Sequence, residues 1–204
     1  MSGADRGHDR PRRPLHFGPD AMEAHGGTLP DPAATAEAAH EAARTVVDAG
    51  RRDASPETTA RLVRLVDELG LDTLAELWSD RPARSLPGAL WRLYLIREWV
   101  QRQPQEAARE YAAGMHAAPV AHVVTGIEEP PGTAEVTALA DRVLGGLFDG
   151  DLPVALERAA AFCRVVATGR AHLDDGDVPA AARMLGTAED LEAAARLWRA
   201  DALA

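Results

Sequence analysis

From residue 31 onward apolar residues recur every three or four positions, and short clusters of Asp, Ser, Pro and Gly interrupt the runs. That period predicts helices, and the breakers mark where they end. "DPAATAEAAHEAARTVVDAG" opens on Asp31, a good N-cap, with Pro32 in the first turn and Gly50 suited to the end. "SPETTARLVRLVDELG" repeats the scheme with Ser55, Pro56 and Gly70, and Leu62, Val63, Leu65, Val66 and Leu69 make its apolar face. A short helix starting at Asp72 carries Leu74, Leu77 and Trp78 and is closed by Pro82.

The longest apolar stretch is "SLPGALWRLYLIREWVQRQP", capped by Ser85, with Pro87 in its first turn and Pro104 beyond its end. It is apolar around most of its circumference, which predicts the central helix. Further helices are expected from about Pro104 to His116, from Thr133 through "GTAEVTALADRVLGGLF", over 152–168 and over 178–185. Between the first two of these, "PVAHVVTGIEEPPG" reads as a short element and a loop. In the C-terminal "TAEDLEAAARLWRADAL", Thr187 and Asp190 resemble a capping box, and Leu191, Ala194, Ala195 and Trp198 form the inward stripe.

Two matching segments, "FDGDLP" and "DDGDVP", stand 26 positions apart. Each reads as a stop and restart: Gly150 and Gly176 supply a positive φ, Asp151 and Asp177 cap the next helix, and Pro153 and Pro179 fit its first turn. A shared metal site is disfavoured, because a helix of about 17 residues would set the turns roughly 25 Å apart. The spacing is also short of a tetratricopeptide period, and there is no third copy. The expectation is an all-α protein, a compact bundle of about eight short antiparallel helices joined by tight Gly/Asp/Pro turns.

Composition supports this, since Ala and Leu dominate and only two isoleucines occur, Ile96 and Ile127. Residues 1–30 mix Gly, Pro, Arg, His and Asp without a period and are expected to form a disordered tail; residues 31–204 then make a single helical domain. The tail holds four acids and four arginines, so the net charge of -10 falls on the remainder of the chain. Such an acidic body repels phosphate backbones, leaving the tail as the one place for nucleic-acid contact.

Lysine and asparagine are absent, and all 22 basic residues are arginine, a bias that suggests a high-GC bacterial source. Without lysine there is no Schiff-base chemistry and no Walker-type phosphate loop. The lone Cys163, in "AAAFCRVV", reads as a small buried thiol rather than a nucleophile. No apolar run reaches membrane-span length and no hydrophobic signal core is seen, so a cytoplasmic location is expected.

Arg92 is the most interesting single residue. On a helical wheel the polar side of its helix is Tyr94, Arg97, Glu98, Gln101 and Arg102, whereas Arg92 falls among Leu95, Ile96 and Trp99. It therefore needs either a carboxylate such as Glu68 or Glu76, or an anionic ligand in a pocket walled by Trp91 and Trp99. The four tryptophans otherwise read as core.

Glu37 and His40 have the spacing of one half of a di-metal site, but no second pair occurs; His116 and His122 lack an obvious third ligand. Neither a metal nor a cofactor is expected. "GLDTLAELW" superficially suggests helix-turn-helix, but the helix after it is too apolar for a groove. Arg6, Arg10, Arg12, Arg13 and Phe17, in and beside "DRPRRPLHFG", form a candidate interaction tail.

The functional expectation is a regulatory or adaptor protein that binds another protein. The alternative is a binding protein or enzyme for an anionic small molecule, with its pocket at Arg92, Trp91 and Trp99. A weaker third is a nucleic-acid-associated factor using the tail arginines. No catalytic constellation argues for an enzyme, and oligomeric state is open.

Overall fold

The computed structural model describes residues 31–53, 55–115, 117–118, 123, 125, 132–148 and 151–203. Arg6, Arg10, Arg12, Arg13, Phe17, Gly150, His116 and His122 lie outside them. Nine helices occur among the described residues: α1 (Pro32–Arg52), α2 (Pro56–Val63), α3 (Leu65–Leu69), α4 (Leu71–Trp78), α5 (Leu86–Arg102), α6 (Pro104–Met115), α7 (Thr133–Phe148), α8 (Leu152–His172) and α9 (Val178–Arg199). The protein is all-α, a helical bundle as expected.

The caps explain where helices begin. Asp31, Ser55, Ser85, Asp151 and Asp177 each accept a hydrogen bond from a free amide of the first turn, with proline in that turn every time. Such a cap stabilises its helix by about 1 kcal/mol. Asp151 and Asp177 thus punctuate the chain as the two Asp-Gly-Asp segments predict. Gly176 acts differently from expectation: it has no positive φ, and its missing Cβ instead makes room for the Arg170 carbonyl oxygen, which a methyl would approach to 2.0 Å. Among the described residues Gly70, at φ 83°, is the glycine with positive φ, and it ends α3.

Helix boundaries differ from the sequence reading in several places; α8, for one, runs on to His172 instead of ending near 168. Gly50 does not end α1, which continues to Arg52; Gly50 is buried against Phe148 of α7. The helix expected over 55–70 is two, because the chain turns at Arg64 and its carbonyl oxygen accepts from the Asp67 and Glu68 amides. Leu69, beyond that turn, leaves the apolar face and is exposed. The two C-terminal helices are one, α9: the Thr187 hydroxyl bonds back to the Arg183 carbonyl oxygen instead of capping, so nothing interrupts the ladder.

One apolar cluster draws buried side chains from α1 through α9. α5 touches α7, α1, α9, α4, α6 and α8, in keeping with a central position, but it shares that role with α8. Alanines dominate the buried face of α8, from Ala155 to Ala167, and small side chains let neighbouring helices come close on several sides. Against α6, backbone meets backbone. A Cβ at Gly114 would lie 1.9 Å from the Val165 carbonyl oxygen, and one at Gly169 would lie 1.7 Å from that of Glu110. Beside this crossing Arg170 meets Glu110 in a bidentate pair at 2.7 and 2.8 Å, and its guanidinium lies 5.3 Å from the centre of the Trp99 ring.

Candidate functional site

The face of α5 that reads as polar in the sequence is covered by other helices. Tyr94 is fully buried and its hydroxyl donates to the Leu62 carbonyl oxygen of α2 at 2.7 Å. Burial pushes that phenol well above its usual range, with the nearby Arg97 charge opposing the shift. Arg97 follows one turn later, and its side chain is only 6% exposed. Its Nε donates to Asp141 Oδ1 of α7 at 2.7 Å and its Nη2 to Asp67 Oδ2 of α3 at 3.5 Å. Gln101 Nε2 holds the same Asp141 oxygen at 3.2 Å. The third guanidinium nitrogen, Nη1, is buried and has no hydrogen-bond partner.

Arg97 lines a groove of about 660 Å³ between α2, α5, α7 and α8. Its walls include Thr59, Val63 and Arg64 on one side and Asp141, Arg142, Gly145, Gly146 and Arg158 on the other. Thr59 Oγ1 is the second buried polar atom here without a partner. Four helical threonines, Thr35, Thr73, Thr168 and Thr187, bond back to the carbonyl oxygen four residues earlier, a common way for a helical threonine to satisfy its hydroxyl. Thr59 does not, and its hydroxyl is left for something else.

Arg64, Arg142 and Arg158 are exposed at the rim, and none forms an ion pair among the described residues. The groove is therefore lined by four arginines and by a threonine whose buried hydroxyl has no partner, on a protein whose net charge is -10. Its one carboxylate, Asp141, already accepts from Arg97 and Gln101. The site offers donors and asks for acceptors.

Arg92 does not occupy the position that the helical wheel suggests. Its side chain is 24% exposed, and it donates to its own helix at the Gly88 carbonyl oxygen (3.0 Å) and pairs with Asp190 of α9 at 3.7 Å. Neither Glu68 nor Glu76 is the partner: Glu68 pairs with Arg61, and Asp190 also receives Arg84. The buried arginine of α5 is Arg97, because α2, α3 and α7 cover that side. Trp99 faces Arg170 and tilts against Phe162, and Trp91 packs at the edge of the core, so the structure does not gather Arg92, Trp91 and Trp99 around one cavity.

A second cavity of about 290 Å³ lies beside Trp99 and the loop before α9. Most of its charged groups are taken up, Arg170 by Glu110, Arg109 by Asp175 and Asp177 by the Ala180 amide, and Glu106 adds a further negative charge. Arg81 Nε, the remaining buried polar atom without a partner, borders neither cavity.

Cys163 is fully buried in α8, and desolvation pushes its thiol up to about 12. At pH 8 only about one thiol in 10⁴ would be ionised, and the thiolate is the reactive form. Ellman's reagent is expected to find no thiol in the folded protein and one per chain in guanidinium chloride; fast modification of the folded form would contradict this burial.

Among the described residues no group of three His, Cys, Asp or Glu side chains could hold a metal ion, and no helix is long and apolar enough to cross a membrane. The chain matches no protein-family model, and comparisons with curated proteins and with solved structures find no similar one. Geometry alone must carry the functional reading.

Proposed function

We propose that the protein binds a small anionic ligand in the groove between α2, α5, α7 and α8. The observation that carries this reading is the pair of unpartnered buried atoms, Arg97 Nη1 and Thr59 Oγ1, in two residues that line one groove. Leaving a buried donor unsatisfied costs about 1–3 kcal/mol, and a bound oxyanion would remove that penalty at both atoms. A guanidinium has no acceptor, which argues for an anion over a cation. Water could satisfy the same atoms, but water would not account for three further arginines at the rim.

This reading keeps the anionic-ligand alternative expected at Arg92, Trp91 and Trp99, and moves it to another face of the same helix. It takes precedence over the protein-binding adaptor expected from composition. The groove is a specific feature, whereas the adaptor expectation rests on the lack of a catalytic constellation, an acidic domain and a charged tail.

Calorimetric titration with phosphate, citrate and benzoate tests the reading. At least one of these anions should bind, and Thr59→Val, which keeps the shape and deletes the hydroxyl, should weaken it about tenfold, the value of one hydrogen bond to a charged group. Binding by none of them at millimolar concentration, or binding indifferent to both Thr59→Val and Arg158→Ala, would reject the groove as an anion site.

A further inference from the structure

Resting on that reading, we infer that the ligand is a small phosphate monoester: a dianionic head carried on a compact apolar body. Charge at the groove favours two negative charges over one. Arg97 is already opposed by the two carboxylates of Asp67 and Asp141, so this trio carries one net negative charge. Arg64, Arg142 and Arg158 add three positive charges, none in an ion pair among the described residues, which leaves these six side chains two positive charges in excess. A monocarboxylate would neutralise only one of them. A phosphate monoester carries close to two negative charges at neutral pH and three acceptor oxygens, enough to meet several guanidinium donors and a hydroxyl together.

Arginine also suits phosphate geometrically, since its planar fork can give two parallel hydrogen bonds. With no lysine in the chain, every cation available to this site has that fork.

The rest of the groove indicates what the phosphate is attached to. Pro56, Ala60, Val63, Gly145 and Gly146 contribute walls without charge or side-chain hydrogen-bonding groups. The volume of about 660 Å³ falls in the range of pockets that hold drug-sized molecules, and a bare oxyanion would leave most of it to water. Gly145 and Gly146 add no side chain to the lining; a Cβ on Gly145 would touch Thr59 Cγ2 of α2 at 3.5 Å and one on Gly146 would touch Ala155 Cβ of α8 at 3.9 Å. A flat apolar body could lie against that surface while its phosphate reaches Thr59 and Arg97. The limited volume favours a free small molecule over a phosphorylated polymer.

The experiment is calorimetric titration of the full chain at pH 8 with phenyl phosphate, benzoate and inorganic phosphate, repeated on Arg142→Ala and Arg158→Ala. Both arginines are exposed, so neither substitution disturbs the core. Phenyl phosphate is expected to bind at least about tenfold more tightly than either other probe, and each arginine variant to weaken it by about tenfold or more. Benzoate binding as well as phenyl phosphate would overturn the dianion and leave the anion-binding reading standing. Inorganic phosphate binding as well as phenyl phosphate would overturn the apolar body. Failure of all three probes to bind would overturn the inference, and the failure of citrate as well would overturn the groove as an anion site.

Discussion

Alanine at Gly169 is expected to destabilise the protein by about 3 kcal/mol or more, enough to lower the urea midpoint sharply or to prevent isolation of a folded form. The reason is steric and local. The new methyl would sit 1.7 Å from the Glu110 carbonyl oxygen and 2.7 Å from the Gly114 amide nitrogen, so backbone and not a pliable side chain stands in the way. α6 and α8 would have to separate, and the stacked pair of Tyr111 on Phe162, with ring centres 5.7 Å apart, would separate with them. Gly114→Ala should behave alike, with its methyl 1.9 Å from the Val165 carbonyl oxygen. Gly186→Ala in α9 is the control: nothing lies within 4 Å, and alanine should raise stability by up to about 1 kcal/mol. Urea denaturation of the three variants decides the matter, and a mild effect at Gly169 would show that the two helices are not in backbone contact.

The second large effect is expected at Glu110. Its side chain is 4% exposed and its two oxygens are taken by Arg170, itself 13% exposed. Glu110→Ala would leave that guanidinium against Trp99 with no carboxylate in contact, a loss of about 3–5 kcal/mol by analogy with other broken buried pairs. Replacing both partners with apolar residues, Glu110→Leu with Arg170→Met, should recover much of that stability, because desolvation of the charges then disappears together with their attraction. The Glu110 hydrogen bond holds the Arg170 guanidinium above its ordinary range. A raised folded-state value leaves the contribution intact below the unfolded arginine value, so no loss is expected across neutral and moderately alkaline pH. Melting temperatures of Glu110→Ala and of the double variant test the point. A double variant no better than Glu110→Ala would mean that packing, and not charge, dominates there.

Much of the fold was legible because its signals are local. Asp31, Ser55, Ser85, Asp151 and Asp177 each precede a proline by one or two residues, and capping is settled within a single turn. Local signals also explain the misreadings. Thr187 has the residue type of a cap, but a threonine hydroxyl can equally bond backwards within a continuing helix, and spacing alone does not separate the two. Gly176 looks like a left-handed turn residue, yet its need for glycine comes from the Arg170 carbonyl oxygen, six residues away in the chain.

The candidate site was the least legible part. A helical wheel sorts residues by type, and Arg97 stands there among Tyr94, Glu98, Gln101 and Arg102, as if facing water. It is buried because Asp141, 44 positions later, and Asp67, 30 positions earlier, converge on it. Arg92 looked anomalous among Leu95 and Trp99, but Leu95 is partly exposed and Asp190 reaches Arg92 from the far end of the chain. The pairing partner came from a helix that the sequence reading divided in two. Thr59 carried no signal at all, since its distinction is a hydrogen bond that it does not make.

Gly145 and Gly146 differ in kind from the glycines at the α6–α8 crossing. There backbone contact forbids a side chain; in α7 a methyl at either position would meet only ordinary van der Waals neighbours. Each glycine inside a helix lowers its stability by about 1 kcal/mol relative to alanine. α7 is therefore weaker than its surroundings require, because a methyl at either position would fit against Thr59, Val63 or Ala155 without displacing them. Both glycines line the groove, so alanine at either is expected to stabilise α7 there. An occupant that fills the groove would also firm up α7, so ligand and scaffold would each complete what the other lacks.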